Sequence, residues 1–242
     1  MGKILFITGT GTDVGKTGLC LAALLWARAR GLRTAYHKPV QCGTSPFGVP
    51  PREGGDADWM SWMAGGAPTA HVTYALRMAA SPHLAAEREG AEISLAVIRD
   101  DLRGLSRSHD LVLCEGAGGA AVPLDRQGAT LALIAAEAGA PALIAAAPGL
   151  GTLHHTLSTL AWLRQAGVPI AGFAFCHRAA VPDPLAADNR RTISELARIP
   201  CFGEMPFSPA LAQGRPPTAA EALGLWQPLA AALDTWYTGE GP

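Results

Sequence analysis

Lysine is scarce in this chain. Its 19 basic residues include only three lysines, Lys3, Lys16 and Lys38, so arginine carries nearly all the positive charge. Charged residues make up 16% of the 242 positions, and acids offset bases to a formal net charge of -1. Without a basic excess there is nothing to draw the chain to nucleic acid or an anionic membrane, and neither is expected as a partner. Cysteine is also sparse. Cys20, Cys42, Cys114, Cys176 and Cys201 are odd in number, widely spaced and free of any C-x-x-C pair. That argues against a disulfide framework or a zinc site and fits a reducing, cytoplasmic setting. Long apolar runs are missing too. The alanine-rich stretch from Ala129 to Ala147 is broken by Glu137, Gly139 and Pro141, so it reads as a buried helix and then a buried strand, not a membrane span. The first apolar run stops at Gly9, too early for a signal peptide.

What is present is concentrated near the start. The run Ile4-Leu5-Phe6-Ile7 leads into Gly9-Thr10-Gly11-Thr12-Asp13-Val14-Gly15-Lys16-Thr17, and a helical pattern follows from Leu19 to Arg30. Strand, glycine loop and helix are the context of a phosphate-binding loop. Glycines let backbone N–H groups approach an anion, and the helix adds unpaired amides and roughly half a positive charge. Lys16 supplies a full charge, and the Thr17 hydroxyl suits a magnesium ion bound to the phosphates. The spacing is unusual. Five residues, not four, separate Gly9 from Gly15, and position 10, where the common pattern has its first glycine, is Thr10.

At 242 residues the chain suits a single α/β domain over 1–242. A chain of this size buries roughly 70–75% of its unfolded surface, enough for a full core without staples. Arg33 to His37 reads as a second strand ending at Lys38-Pro39-Val40, and a Pro/Gly-rich loop over 45–55 is expected to be mobile or functional. Asp56 opens a helix through Ala64; Ser81-Pro82-His83 begins another, and Leu95 to Leu105 is amphipathic. Leu111 to Cys114 is a wholly apolar strand ending at Glu115 and a glycine run, the mark of a buried parallel sheet. Ala142 to Ala147, Ile170 to Phe175 and Cys201 to Gly203 read as further strands. A final helix over 218–236 is interrupted at Pro228. The alternation predicts a mostly parallel sheet with helices on both faces, a P-loop α/β fold.

In such a sheet the Gly9–Thr17 loop, Lys38, Glu115 and the Gly149–Thr152 turn end their strands on one side, with Asp56 in reach. Thr17, Asp56 and Glu115 offer the oxygen ligands magnesium prefers. Lys16 and Lys38 flank the position of a transferring phosphoryl group, where catalysis is chiefly positioning and charge neutralisation. Simpler readings exist for each: Asp56 as a helix cap, Lys38 as a solvated strand end, Glu115 as a loop charge.

The phosphate loop, Lys38-Pro39-Val40, Ser81-Pro82-His83, Glu115-Gly116-Ala117-Gly118-Gly119 and Gly203-Glu204-Met205-Pro206 follow in the order and spacing of dethiobiotin synthetases, and the chain resembles that family from residue 3 to about 210. The resemblance implies an ATP- and Mg2+-dependent ligase. Its substrates are ATP, CO2 or bicarbonate, and 7,8-diaminopelargonate, and it forms C–N bonds as it closes the ureido ring of dethiobiotin for biotin synthesis. It implies that Gly11, Thr12, Asp13, Val14, Gly15, Lys16 and Thr17 hold the phosphates, with Glu115, Cys176 and Pro206 also on the nucleotide. Thr17, Asp56 and Glu115 would ligate magnesium. Lys38, Lys16 and Thr12 would be catalytic. Thr12, Lys38, Thr44, Gly118, Gly119, Gly151 and Thr152 would bind substrate, with the diamine's tail meeting a helix N-terminus across a homodimer interface.

Three positions depart from the family pattern: Gly11 replaces a frequent acid, Cys176 an asparagine that reads adenine, and His154 a frequent asparagine. A competing reading is a nucleotide-switch ATPase that regulates a partner. Such switches carry a second lysine early in the loop, and positions 9 to 14 hold none.

Overall fold

The computed structural model describes residues 1–44, 55–66, 69–181 and 183–239. The loop expected to be mobile falls outside the described residues except for Gly55. The elements run β1 (Lys3–Gly9), α1 (Lys16–Ala29), β2 (Thr34–Cys42), α2 (Asp56–Met63), β3 (Thr69–Leu76), α3 (Pro82–Glu89), α4 (Leu95–Ser108), β4 (Leu111–Glu115) and α5 (Leu131–Glu137). They continue with β5 (Ala142–Ala146), α6 (Thr152–Gln165), β6 (Ile170–Cys176), α7 (Ala186–Ala197), β7 (Cys201–Met205), α8 (Pro209–Ala212), α9 (Ala219–Trp226) and α10 (Ala230–Thr238).

The seven strands form one sheet in the order β3-β2-β4-β1-β5-β6-β7, and every pairing is parallel. Parallel strands covered on both faces must be apolar throughout, and β4 and β5 are buried at every residue. Strand alternation divides the core in two. Leu5 and Ile7 pack with α1, α2, α9 and α10, while Phe6 packs with the layer of α3 to α7. Burying each leucine or isoleucine of these strands contributes about 1.5–3 kcal/mol. Helix α10 docks on α1 through the fully buried Trp26, whose indole N–H donates to Asp234 at 3.1 Å.

The single interrupted C-terminal helix is two helices, α9 and α10, joined by a 3-10 turn at Gln227–Leu229 that contains Pro228. Strand β3 and helices α7 and α8 are additions to the sequence reading. β3 is an edge strand, and most of its residues are only half buried, so it lacks the apolar run that marks the central strands.

The switch in strand order lies at β1, which has β4 on one side and β5 on the other. Chain leaving the C-terminal ends of β1, β4 and β5 opens a crevice there, the usual ligand site of open α/β sheets.

Candidate functional site

A cavity of about 760 Å³ occupies this crevice. Of the residues singled out in the sequence, Thr12, Asp13, Gly15, Lys16 and Thr17 line it from the phosphate loop. Lys38 enters from β2, Asp56 from the start of α2, Glu115 from the end of β4, and Gly118 from the loop beyond.

The loop's shape rests on particular residues. Gly15 caps α1 with φ 100, and a Cβ there would meet the Cys176 Cβ at 2.5 Å. Asp13 is also left-handed, with φ 56. The Lys16 ammonium donates to the Gly11 carbonyl at 2.7 Å, which folds the side chain back over the loop. Burial lowers the Lys16 pKa, the Glu115 carboxylate opposes this, and Lys38 adds to the lowering.

A chain of short polar contacts fills the crevice wall. The Lys38 ammonium lies 2.6 Å from a Glu115 oxygen and 2.6 Å from an Asp56 oxygen. Thr17 donates to that same Glu115 oxygen at 2.9 Å, and the Tyr36 hydroxyl donates to the other at 2.8 Å. Lys38 and Glu115 are almost entirely buried. Burial alone would depress the Lys38 pKa, but the Glu115 and Asp56 carboxylates outweigh it and hold the ammonium above the ordinary lysine value. Burial pushes the Glu115 carboxyl up, yet Lys38 and the hydroxyls of Tyr36 and Thr17 outweigh it and leave the pKa lowered. Asp56 is raised, because burial and the nearby Glu115 charge exceed the pull of Lys38.

Asp56 is therefore no helix cap. Gly55 occupies the cap position, and the Asp56 side chain turns to Lys38. Gln41 positions it by accepting the Asp56 backbone N–H at 3.1 Å.

Other expected residues stand back from the cavity wall. Gly11 and Val14 support the loop, Gly11 through its bond to Lys16 and Val14 by packing on the core. Gly119 lies close behind the loop, where a Cβ would be 3.7 Å from the Gly11 nitrogen. The Thr44 hydroxyl donates to the Leu76 carbonyl at the end of β3. Gly151 caps α6 with φ 91, and the Thr152 hydroxyl pairs with Thr156 at 3.3 Å. Pro206 is exposed beyond β7. Cys176 is buried beneath the phosphate loop with its thiol toward the Gly15 carbonyl, and burial pushes its pKa to about 12.

Sequence reading missed Tyr36, Gln41 and Arg178. Tyr36 was within reach, since it precedes Lys38 by two and strand alternation puts both on one face. Arg178 lines the cavity from beyond β6, and no local pattern marks it.

Comparison with known proteins adds the family. A family model described as an AAA domain matches residues 3–215. An ATP-dependent dethiobiotin synthetase from Mycobacterium sp. (strain KMS) is 40% identical over 202 residues, 81% of this chain and 85% of that protein. One from Anaeromyxobacter dehalogenans is 37% identical over 222 residues, 91% of this chain and 95% of that protein. The chain belongs to the dethiobiotin synthetase family. Beyond that family the fold is shared more widely. The MinD cell division protein of Aquifex aeolicus superposes with a TM-score of 0.61 at 13% identity, over 100% of this chain and 99% of that one. A MinD complexed with Mg-ADP from Pyrococcus horikoshii superposes at 0.59 and 14% identity, over 100% and 98%. At such identities the likeness is one of fold alone. The resemblance read from the phosphate loop, Lys38 and Glu115 thus agrees with matches spanning most of this dethiobiotin synthetase family member. Among the described residues, no helix is long and apolar enough to cross a membrane.

Proposed function

We propose that this chain is an ATP-dependent ligase that makes dethiobiotin, closing a ureido ring on 7,8-diaminopelargonate with CO2 in biotin synthesis. One observation carries the reading beyond family membership. Two ammonium groups and two carboxylates meet at the mouth of a phosphate loop, at Lys16, Lys38, Asp56 and Glu115. A site that only held nucleotide has no need of a second buried lysine on another strand, β2.

In the proposed chemistry one substrate amine adds to CO2 and loses a proton, giving a carbamate. A carbamate oxygen attacks the γ-phosphorus of ATP, and ADP leaves. The second amine then attacks the carbamoyl carbon of the mixed anhydride, forming the second C–N bond as phosphate leaves. Each phosphoryl step moves negative charge past the loop. The amides of residues 12 to 17 and the Lys16 ammonium neutralise it, and their fixed positions avoid reorganisation. Lys38, held cationic by its acids, faces the carbamate and the transferring group, and Thr12 lies beside them. Gly118 and Gly119 leave room for the diamine against the loop.

The donor set fits magnesium. The Asp56 and Glu115 carboxylates already meet on the Lys38 ammonium, and the Thr17 hydroxyl joins them through Glu115. Those three would hold the ion, which supplies charge neutralisation at the phosphates when bound.

A homodimer is part of the reading. Gly151 and Thr152 lie outside this chain's own cavity, and Leu150 between them and Gly149 is 95% exposed, as expected of a turn that serves a partner's site. The five free thiols support a cytoplasmic setting.

The test is product formation. Purified protein given ATP, Mg2+, 7,8-diaminopelargonate and 13C-bicarbonate should yield dethiobiotin carrying one 13C by mass spectrometry. Unlabelled or absent product would reject the proposal.

A further inference from the structure

On the face of β2 opposite Lys38, a second set of ligand-type side chains gathers. His37 and His71 are register partners across β2 and β3, with ring centroids 5.5 Å apart. Helix α4 covers this face and brings Asp101, whose carboxylate meets His71 Nε2 at 2.7 Å and accepts from the Thr73 hydroxyl at 2.7 Å. The same hydroxyl lies 2.9 Å from His37 Nε2. Since Thr73 spends its single proton on Asp101, it accepts from His37, whose Nε2 carries the hydrogen. His37 Nδ1 is then a bare lone pair, and it is buried without a partner. An imidazole with half its capacity unfilled in the core is costly.

We propose that His37, His71 and Asp101 form a binding site for a late first-row divalent ion of the zinc type, separate from the oxygen site at the phosphate loop. One ligand atom from each lies within 4.8 Å of the others. A tetrahedral site with bonds of about 2.0–2.2 Å separates its ligands by roughly 3.3–3.6 Å. The His71–Asp101 contact at 2.7 Å opens on loading, and ligand atoms now as far apart as 4.8 Å draw in. Two imidazoles and one carboxylate suit zinc or cobalt and disfavour magnesium, which takes oxygen. Ligation through the Nε2 atoms that face the cluster requires each imidazole to carry its hydrogen on Nδ1, and the unpartnered His37 Nδ1 is free to take it. Burial keeps His37 neutral, with its pKa lowered to about 3. Burial works against ionisation of Asp101, but its bonds from His71 and Thr73 hold the carboxyl below its ordinary value. Access exists as well: the His71 and Asp101 side chains are 39% and 29% exposed, leaving room for entry and for water as a fourth ligand. The ligand set contains no cysteine, so cysteine spacing could not reveal it. The site does not depend on the ligase reading.

The experiment is a Co2+ titration of untagged, chelator-stripped protein with excess Mg2+ filling the oxygen site. Visible d–d absorption of a low-symmetry site should saturate at one Co2+ per chain and vanish on adding Zn2+. His71→Ala and, separately, Asp101→Asn, both half-exposed positions whose folding is checked by circular dichroism, should each weaken binding at least about tenfold. A spectrum no different from free Co2+ would overturn the proposal. So would a thiolate-to-cobalt charge-transfer band, or undiminished affinity in a folded variant.

Discussion

Replacing Lys38 by methionine tests the buried charge cluster directly. Methionine keeps much of the stem's volume but leaves Glu115 fully buried without its cation, and Asp56 without its partner. Breaking a buried pair from one side costs about 3–5 kcal/mol. Glu115 has an escape, because it can bind a proton. For a carboxyl with an ordinary pKa of about 4.3, protonation costs about 3.7 kcal/mol at pH 7 and about 1.6 kcal/mol at pH 5.5. The Glu115 share of the loss is therefore capped near 4 kcal/mol at pH 7 and falls by about 1.4 kcal/mol for each unit of acidification. The parent protein lacks this slope, since its Glu115 pKa is lowered and the residue stays ionised across the range. Urea unfolding followed by tryptophan fluorescence, in chelator at several pH values, reads the difference between parent and variant. Adding Glu115→Gln to Lys38→Met should recover most of the loss, and Mg2+ should shrink it in the single variant. A penalty below about 1 kcal/mol at pH 7, or one independent of pH, would refute the reasoning.

Other outcomes follow from the same geometry. Lys16→Ala removes the charge that lies over the loop, and turnover should fall by about 100-fold or more with stability nearly unchanged; steady-state kinetics beside thermal melts check this. His37 is neutral when folded, with a pKa of about 3, and an unfolded histidine titrates near 6.5. Below pH 6.5 the unfolded state binds the extra proton, so stability present at pH 7 is lost as pH falls toward 3. At pH 5 the loss from this group is about 2 kcal/mol, and His37→Asn in chelator should flatten that part of the profile. The Cys176 thiol is buried beneath Gly15 and offers no amide to a base, so CTP and GTP should compete with ATP within about tenfold in kcat/KM. Comparative nucleotide kinetics giving a much larger ATP preference would reject that.

The sheet was legible where strands are buried on both faces. Leu111 to Cys114 and Ala142 to Ala146 are uninterrupted apolar runs, and the residues that follow them had to lie at the crevice. Lys16 and Glu115 could be placed for that reason, and chemistry then recommended Lys38 and Asp56; Lys38, expected at the end of its strand, lies at the middle of β2, which runs on to Cys42. β3 escaped because an outer strand tolerates His71, Thr73 and Tyr74, which blur its pattern. Tyr36 escaped because it read only as part of a strand, and most of its ring is core; its hydroxyl reaches Glu115. Resemblance located Thr44, Gly151, Thr152, Cys176 and Pro206 in the chain without giving the direction of their side chains. That direction depends on packing that no local spacing encodes, as the turning of Cys176 beneath the loop illustrates.

The central claim is that ATP cleavage here is coupled to a carboxylated diamine. ADP release should be measured with Mg2+ and ATP alone, with 7,8-diaminopelargonate alone added, with bicarbonate alone added, and with both. The account predicts rapid release only in the complete mixture. Equal rates in all four would contradict it and leave an uncoupled ATPase.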